Sequence, residues 1–248
     1  MSTLHRPRSP TISLLIDARR APPPSIAAPP GGEVWVAGPG GSVPVPASAT
    51  EAQTFDALLD AASAPVCVWL NAQHDAVPGR CLALFRAIAS LGVAVVGHLP
   101  PSAVQEGTGR LRRLPLRAGA QGLLDPDTLV FRRDVARSLP RPPHLQLGVR
   151  QLLVIHGATH GGIGWLDRRL LTARVVSRDA AEQEHALAGA VQGALAVLDR
   201  LQATGAPAPA QQAALQALMS ASLQWSTKRW TLLCDQRKPR WRGAEEAQ

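Results

Sequence analysis

Four groups of residues in this 248-residue chain carry chemistry in their types and spacing. His156 and His160 stand four apart, the separation that puts two imidazoles on one helix face, as two metal ligands need. Gly157, Gly161 and Gly162 argue instead for a turn, and no glutamate follows the first histidine. Residues 38–42 read Gly-Pro-Gly-Gly-Ser. Their backbone N–H groups suit a phosphate, but the lysine and spacing of a P-loop are missing and a plain turn accounts for them. Arg110, Arg112, Arg113 and Arg117 offer guanidinium forks for diphosphate oxygens, or form a solvated basic loop. From Ser226 to Arg242, six basic residues and one acid are interleaved with Trp230 and Trp241. That pattern suits an anionic bilayer surface or a nucleic-acid strand, an unstructured or docked tail being the alternative.

The elements that must position these groups follow from apolar patterning. Thr11–Ile16, Glu33–Ala37, Val66–Leu70 and Val93–Gly97 are short β-branched runs and predict four buried strands. Phe55, Leu58, Leu59 and Ala62 predict a helix over 50–62, stopped by Pro65. A second helix is expected over 78–91, with Cys81, Leu82, Leu84, Phe85 and Ile88 on its inner face. Alternating strands and helices imply a mostly parallel sheet covered on both faces, with ligands at the carboxyl ends of its strands, after Ile16, Ala37 and Leu70. Residues 100–120 read as a loop, Thr128–Phe131 as a short apolar stretch, and 147–155 as a helix or a buried strand. Residues 179–204 predict a long helix striped by Leu187, Val191, Leu195, Leu198 and Leu201, facing the sheet or a dimer partner. Another helix is expected over 210–223, after a hinge at 203–210.

The net charge of +8 favours anionic partners without choosing among nucleotides, nucleic acid and membrane. Cys67, Cys81 and Cys234 are too few and too scattered for a disulfide framework or a zinc site. No apolar run approaches the roughly 18 residues of a membrane span, so a cytoplasmic protein is expected.

The most informative stretch is 64–84, APVCVWLNAQHDAVPGRCLAL. It resembles the central motif of glycosyltransferase family 2, inverting enzymes of the GT-A fold. There a hydrophobic strand enters an acidic cluster, roughly Leu-Asp-Ala-Asp-Asp, and a proline a few residues on opens a helix. Leu70 and Pro78 hold the flanking places, and Asn71-Ala72-Gln73-His74 stand where the family has Asp-Ala-Asp-Asp. The resemblance extends from TISLLI through EVWVAGPGGS and DTLVFRRDV to the segment 147–176, with Arg150, Gly157 and Leu170 in step.

The resemblance implies a GT-A-like α/β domain over 10–178, a mostly parallel sheet flanked by helices, with a helical extension and basic Trp-containing tail over 179–248. It implies a nucleotide-sugar site bordered by Ala37, Gly38, Asn71 and Gln73. Mn²⁺ or Mg²⁺ would be weakly held by Asn71, Gln73 and Asp75, since amide oxygens replace carboxylates. The family's general-base aspartate falls where Pro143 and His144 stand, giving His144 the base role and Asp75 the nearest carboxylate. The expected partners are a nucleotide-sugar donor and a glycan or lipid-linked acceptor, with 226–242 at a membrane surface. The alternatives are a non-catalytic subunit beside a second, active glycosyltransferase, and a basic nucleic-acid-binding protein.

Overall fold

A computed structural model describes residues 11–19, 22–23, 26–100, 107–121, 124–141, 148–173 and 180–237. Strand β1 (Ile12–Asp17) lies parallel to β2 (Gly32–Ala37) on one side and to β3 (Val66–Asn71) on the other. Side chains alternate across these strands. Leu15, Cys67 and Trp69 enter one core, with Phe55, Leu58 and Leu153 from α1 (Glu51–Ala61) and α5 (Val149–His160). Leu14, Ile16, Val68 and Leu70 enter the other, with Leu84 and Ile88 from α2 (Arg80–Leu91). Burial on both faces is why the strands read as continuous apolar runs.

The remaining strands complete a mixed sheet. They are β5 (Val95–Leu99), β6 (Leu111–Leu114), β7 (Val130–Arg132) and β8 (Ile163–Arg169). The order is β2-β1-β3-β7-β5-β8-β6, with β7 and β6 antiparallel to their neighbours. A separate ribbon pairs β4 (His74–Ala76) with β9 (Leu171–Ala173). Two short helices, α3 (Leu116–Ala120) and α4 (Arg133–Arg137), lead toward α5. The extension is a hairpin of α6 (Ala180–Ala203) and α7 (Ala208–Arg237), which packs through Val197, Leu201, Ala210 and Ala214 on Ala120 and Ile155.

Local chemistry sets the boundaries. Thr50 and Gln53 form a reciprocal capping box at the start of α1, at 2.9 and 3.1 Å. Glu33 ties three elements together. Its carboxylate accepts from the Ser13 hydroxyl at 2.5 Å and from the Ser63 and Ala64 amides at 2.6 and 3.1 Å. Partial burial works against that charge, but the hydrogen bonds from Ser13, Ser63 and Ala64 prevail and hold its pKa at about 2.

Several expectations are corrected. The described part of 100–120 is not a loop: it contains β6 and α3, so Arg112 and Arg113 lie on an edge strand and Arg117 on a helix. The fourth strand begins at Val95, two residues later than expected. On α2, Leu82 is exposed and Arg80 is buried in its place. Of the glycines around His156, Gly161 and Gly162 do make a turn, closing α5 with the Gly162 amide on Gly157 O at 2.9 Å, but Gly157 does not. Gly157 sits inside α5, where a Cβ would come within 2.4 Å of Val95 Cγ2. On α6 the buried line is Gly189, Gly193, Val197 and Leu201, while Leu195 is exposed. Helix α7 continues past residue 223 to Arg237 and takes in residues 226–237 of the expected tail.

Candidate functional site

Register brings three carboxyl-terminal strand ends into one row, because Asp17 of β1 pairs with Ala37 of β2 and with Asn71 of β3. Two of the expected site positions, Ala37 and Asn71, are thus neighbours across Asp17, which the sequence reading did not single out. Backbone bonds stitch the row: the Ala18 amide donates to Ala37 O at 2.8 Å, and the Ala72 amide to Asp17 O at 3.0 Å. Gly38 is a glycine of necessity, with φ 149° and a built Cβ 2.7 Å from Ala18 O. The Gly38–Ser42 segment folds back on β2 as a turn. The Gly41 amide donates to Gly38 O at 3.0 Å, and Ser42 Oγ accepts from the Val36 amide at 2.9 Å.

The expected cation loop is built differently from a compact acidic cluster. Asn71 Oδ1 accepts from the Gln73 amide at 3.0 Å, an Asx-type turn that commits that oxygen to the loop's own backbone. The next residues form β4, with His74 buried and Asp75 exposed opposite Thr172 of β9. Asn71, Gln73 and Asp75 therefore offer one carboxylate and two amides, a poor donor set for a hard divalent cation. Among the described residues no group of three His, Cys, Asp or Glu side chains gathers to hold a metal. His144 lies outside the described residues. His156 and His160 do share a helix face, with ring centroids 4.0 Å apart, and His156 Nε2 lies 3.0 Å from Ser138 Oγ. Burial, and then the charges of His160 and Arg200, push the His156 pKa down to about 4.

The charged residues at this edge are arranged in pairs that the sequence did not announce. Asp17 receives Arg19 Nε at 2.9 Å and Nη2 at 2.7 Å, a fork-on-fork pair. Arg150, one residue into α5, donates from Nε to Glu51 Oε1 at 3.0 Å and from Nη1 to Asp127 Oδ1. Its guanidinium carbon lies 5.0 Å from the Trp69 ring centroid. Burial opposes the Arg150 cation, but Glu51 and Asp127 outweigh it and keep the group firmly protonated. His74 Nδ1 stands 4.0 Å from Asp127 on the far side. Burial, and then the charge of Asp127, raise the pKa of the neighbouring Asp125.

Beneath β3 lies a second buried cation. Arg80, at the first position of α2, is 1% exposed and donates from Nη2 to Trp69 O at 2.8 Å. Its Nε points at His98 Nε2, 3.4 Å away, while His98 Nδ1 lies 2.8 Å from Leu99 O. That geometry selects the tautomer with the proton on Nδ1, and the imidazole stays neutral. Burial, and then the Arg80 charge, hold its pKa at about 3. The clue available in the sequence was a lone arginine following Pro78-Gly79 at a helix start, a residue type ordinarily read as surface. A cleft of about 790 Å³ opens elsewhere, at the amino end of β3, lined by Val66, Phe85, Ile88 and Arg133.

No family model and no curated relative matches the chain. Solved structures share its architecture. Residues 1–349 of TarS from S. aureus superimpose with a TM-score of 0.56 at 10% identity, over 87% of this chain and 72% of that one. The same protein in complex with UDP-GlcNAc gives 0.54 at 10% identity, over 89% and 73%. Glucosyl-3-phosphoglycerate synthase from Mycobacterium tuberculosis, in complex with Mn²⁺, UDP-glucose and phosphoglyceric acid, gives 0.50 at 18% identity, over 80% and 81%. The chain therefore has a GT-A-like fold: a mostly parallel, mixed seven-stranded sheet between helices, with a helical carboxyl-terminal region.

Proposed function

We propose that this protein accommodates a nucleotide-sugar at the carboxyl edge of β1, β2 and β3 and does so without transferring the sugar. The carrying observation is that Asp17, Glu51 and Asp127, three of the four buried or half-buried carboxylates described there, are each engaged by Arg19 or Arg150, while the fourth, Asp125, accepts from the Asp127 amide at 2.8 Å. A carboxylate whose oxygens are held by arginine presents fewer open lone pairs to an acceptor hydroxyl or to a metal. Support for the donor class comes from the shared fold and from the strand-end position of the edge. Ala37 and Gly38 border the nucleotide in this reading, beside Asn71 and Gln73. Binding without turnover suits a subunit that stands beside an active glycosyltransferase in glycan or polysaccharide assembly.

Calorimetry with a panel of UDP-, GDP- and dTDP-sugars tests the reading. The expected result is binding of at least one donor, with no free sugar and no transfer product on incubation. No binding across the panel sinks the donor site. Turnover abolished by alanine at His144 or Asp75 would replace this reading with an active transferase, in which His144 is the base and Asn71, Gln73 and Asp75 hold Mn²⁺ or Mg²⁺.

A further inference from the structure

The cleft at the amino end of β3 combines an apolar bed with a cation that lacks a partner. It holds about 790 Å³, within the range of small-molecule sites. Its bed is Val66 and Val93 from the sheet side and Phe85 and Ile88 from α2, with Pro65 and Ala89 exposed at the rim. Across from α2, where β7 ends and α4 begins, Arg132, Arg133 and Arg137 line the other wall. Two of these arginines are already matched by acids. Arg132 Nη2 lies 2.5 Å from Asp134 Oδ2, and Arg137 Nη2 lies 3.6 Å from Asp60 Oδ1. Arg133 has no carboxylate partner among the described residues. Its Nε makes only a long bond of 3.4 Å to Leu59 O, and its backbone amide donates to Pro65 O at 2.9 Å, which fixes it beside the bed. One positive charge, on a guanidinium whose two terminal nitrogens are uncommitted, is thus left over beside apolar ground.

We propose that this cleft binds a single-chain carboxylate, with its alkyl chain on Phe85, Ile88, Val66 and Pro65 and its head group on Arg133. Charge sets the head group. One uncompensated arginine matches one monoanion, and a guanidinium fork grips a carboxylate through two parallel N–H···O bonds. A diphosphate would bring more negative charge than the cleft balances. The lining sets the body. Among the described lining residues, Ser63 is the one polar side chain besides the arginines and Asp134, and its hydroxyl already donates to Glu33 Oε2 at 3.0 Å. The hydroxyls of a sugar would find few partners over that bed and would lose those they have in water. An alkyl chain gives up only its contact with water, which favours binding. The site is also separate from the donor edge. Val66 and Asn71 are the two ends of β3, roughly 16 Å apart along the strand.

Calorimetry of the full chain with decanoate, kept below its micelle concentration, reads the site. Decanoate is expected to bind saturably. Acetate, which lacks the chain, and 1-decanol, which lacks the charge, should each bind at least about tenfold more weakly. Arg133→Gln should weaken decanoate binding by a comparable factor. Ala89→Glu, an exposed change that sets a like charge in the cleft, should abolish it, with circular dichroism and melting temperature reporting that the fold is kept. Arg86→Gln, an exposed cation of α2 outside the lining, should leave binding unchanged. The inference is overturned by absence of decanoate binding, by equal affinity for 1-decanol, or by wild-type affinity in Arg133→Gln. An equal loss in Arg86→Gln would reduce the effect to general charge attraction and overturn it too. Tighter binding of decyl phosphate than of decanoate would overturn the choice of head group. Sedimentation with phosphatidylcholine–phosphatidylserine vesicles in the absence of decanoate binding would replace the cleft with a bilayer surface.

Discussion

Trp69 and Arg150 stack across the junction of β3 and α5, ring against guanidinium at 5.0 Å, and two acids grip the guanidinium from its edge. The indole gives the cation an apolar seat, and Glu51 and Asp127 neutralise it. A buried cation held this way is destabilising to break from either side, since the remaining partner is left charged and desolvated.

Arg150→Met should therefore cost about 3–5 kcal/mol of unfolding free energy. Glu51→Gln should cost less, about 1–3 kcal/mol, because the amide oxygen still accepts from the Gly148 amide that Glu51 now binds at 3.1 Å. Urea unfolding of both variants and of their combination checks this. The double variant should lose less than the two single losses together, by roughly 0.5–3 kcal/mol. Strict additivity would mean that the two side chains do not interact.

Donor binding should depend little on metal. With one carboxylate and two amides at 71–75, exchanging Mn²⁺ for a chelator should shift the dissociation constant of any donor that binds by less than about tenfold, or roughly 1.4 kcal/mol. Calorimetry in the two buffers measures it. Loss of binding on chelation would give Asn71, Gln73 and Asp75 the ligand role after all.

Acid should destabilise the fold well before the carboxylates titrate. The folded pKa of His98, about 3, lies below its ordinary value of 6.5, so the unfolded chain takes up the proton first. The stabilising contribution is complete above pH 6.5 and drains away as the pH falls toward 3. At pH 5 the loss relative to pH 8 should be about 2 kcal/mol from this residue. His156, at about 4, adds to it in the same direction. Denaturation midpoints across this range should fall with pH, and His98→Gln should flatten the slope. An unchanged slope in that variant would mean that the imidazole is not the group responsible.

The extension is fastened to the sheet domain at a point where two backbones nearly touch. A Cβ built on Gly148 would lie 2.3 Å from Gly193 Cα, and Gly148 also has φ +84°. Gly148→Ala should thus cost about 1–3 kcal/mol from crowding alone, with a further loss from the strained backbone. Gly193→Ala meets Gln151 and Gly148 at 3.1 Å, so a smaller loss is expected there. Thermal unfolding ranks the two, and equal losses would contradict the packing described.

Strands β1 and β3, buried on both faces, were legible as dense apolar runs, and the half-buried edge strand β2 as a shorter one. Edge strand β6 was not, since its Leu-Arg-Arg-Leu core presents charge where a buried strand would present valine. Helix α5 was obscured by Gly157, which serves close packing on Val95 and not a turn. The position of Ala37 and Asn71 along one edge was foreseen from the strand ends. Arg80, Glu51 and Arg150 were not, because pattern reading places charge in water and only the fold reveals which charges find partners inside. The end of α7 was missed for a related reason. Its outward face is as apolar as its inward one, so no single stripe shows where the helix runs.

The Glu51 carboxylate has one further consequence. It accepts from the Gly148 and Arg150 amides, so it closes the start of α5 from 97 residues away. The nucleation of that helix is thus not a local event. In a fragment lacking the first fifty-odd residues, α5 would begin with bare amides and a guanidinium held by Asp127 alone. During synthesis the closing group leaves the ribosome long before the helix that needs it. Assembly of this half of the sheet domain should accordingly be set by a long loop closure, and its folding rate by the search for that one contact.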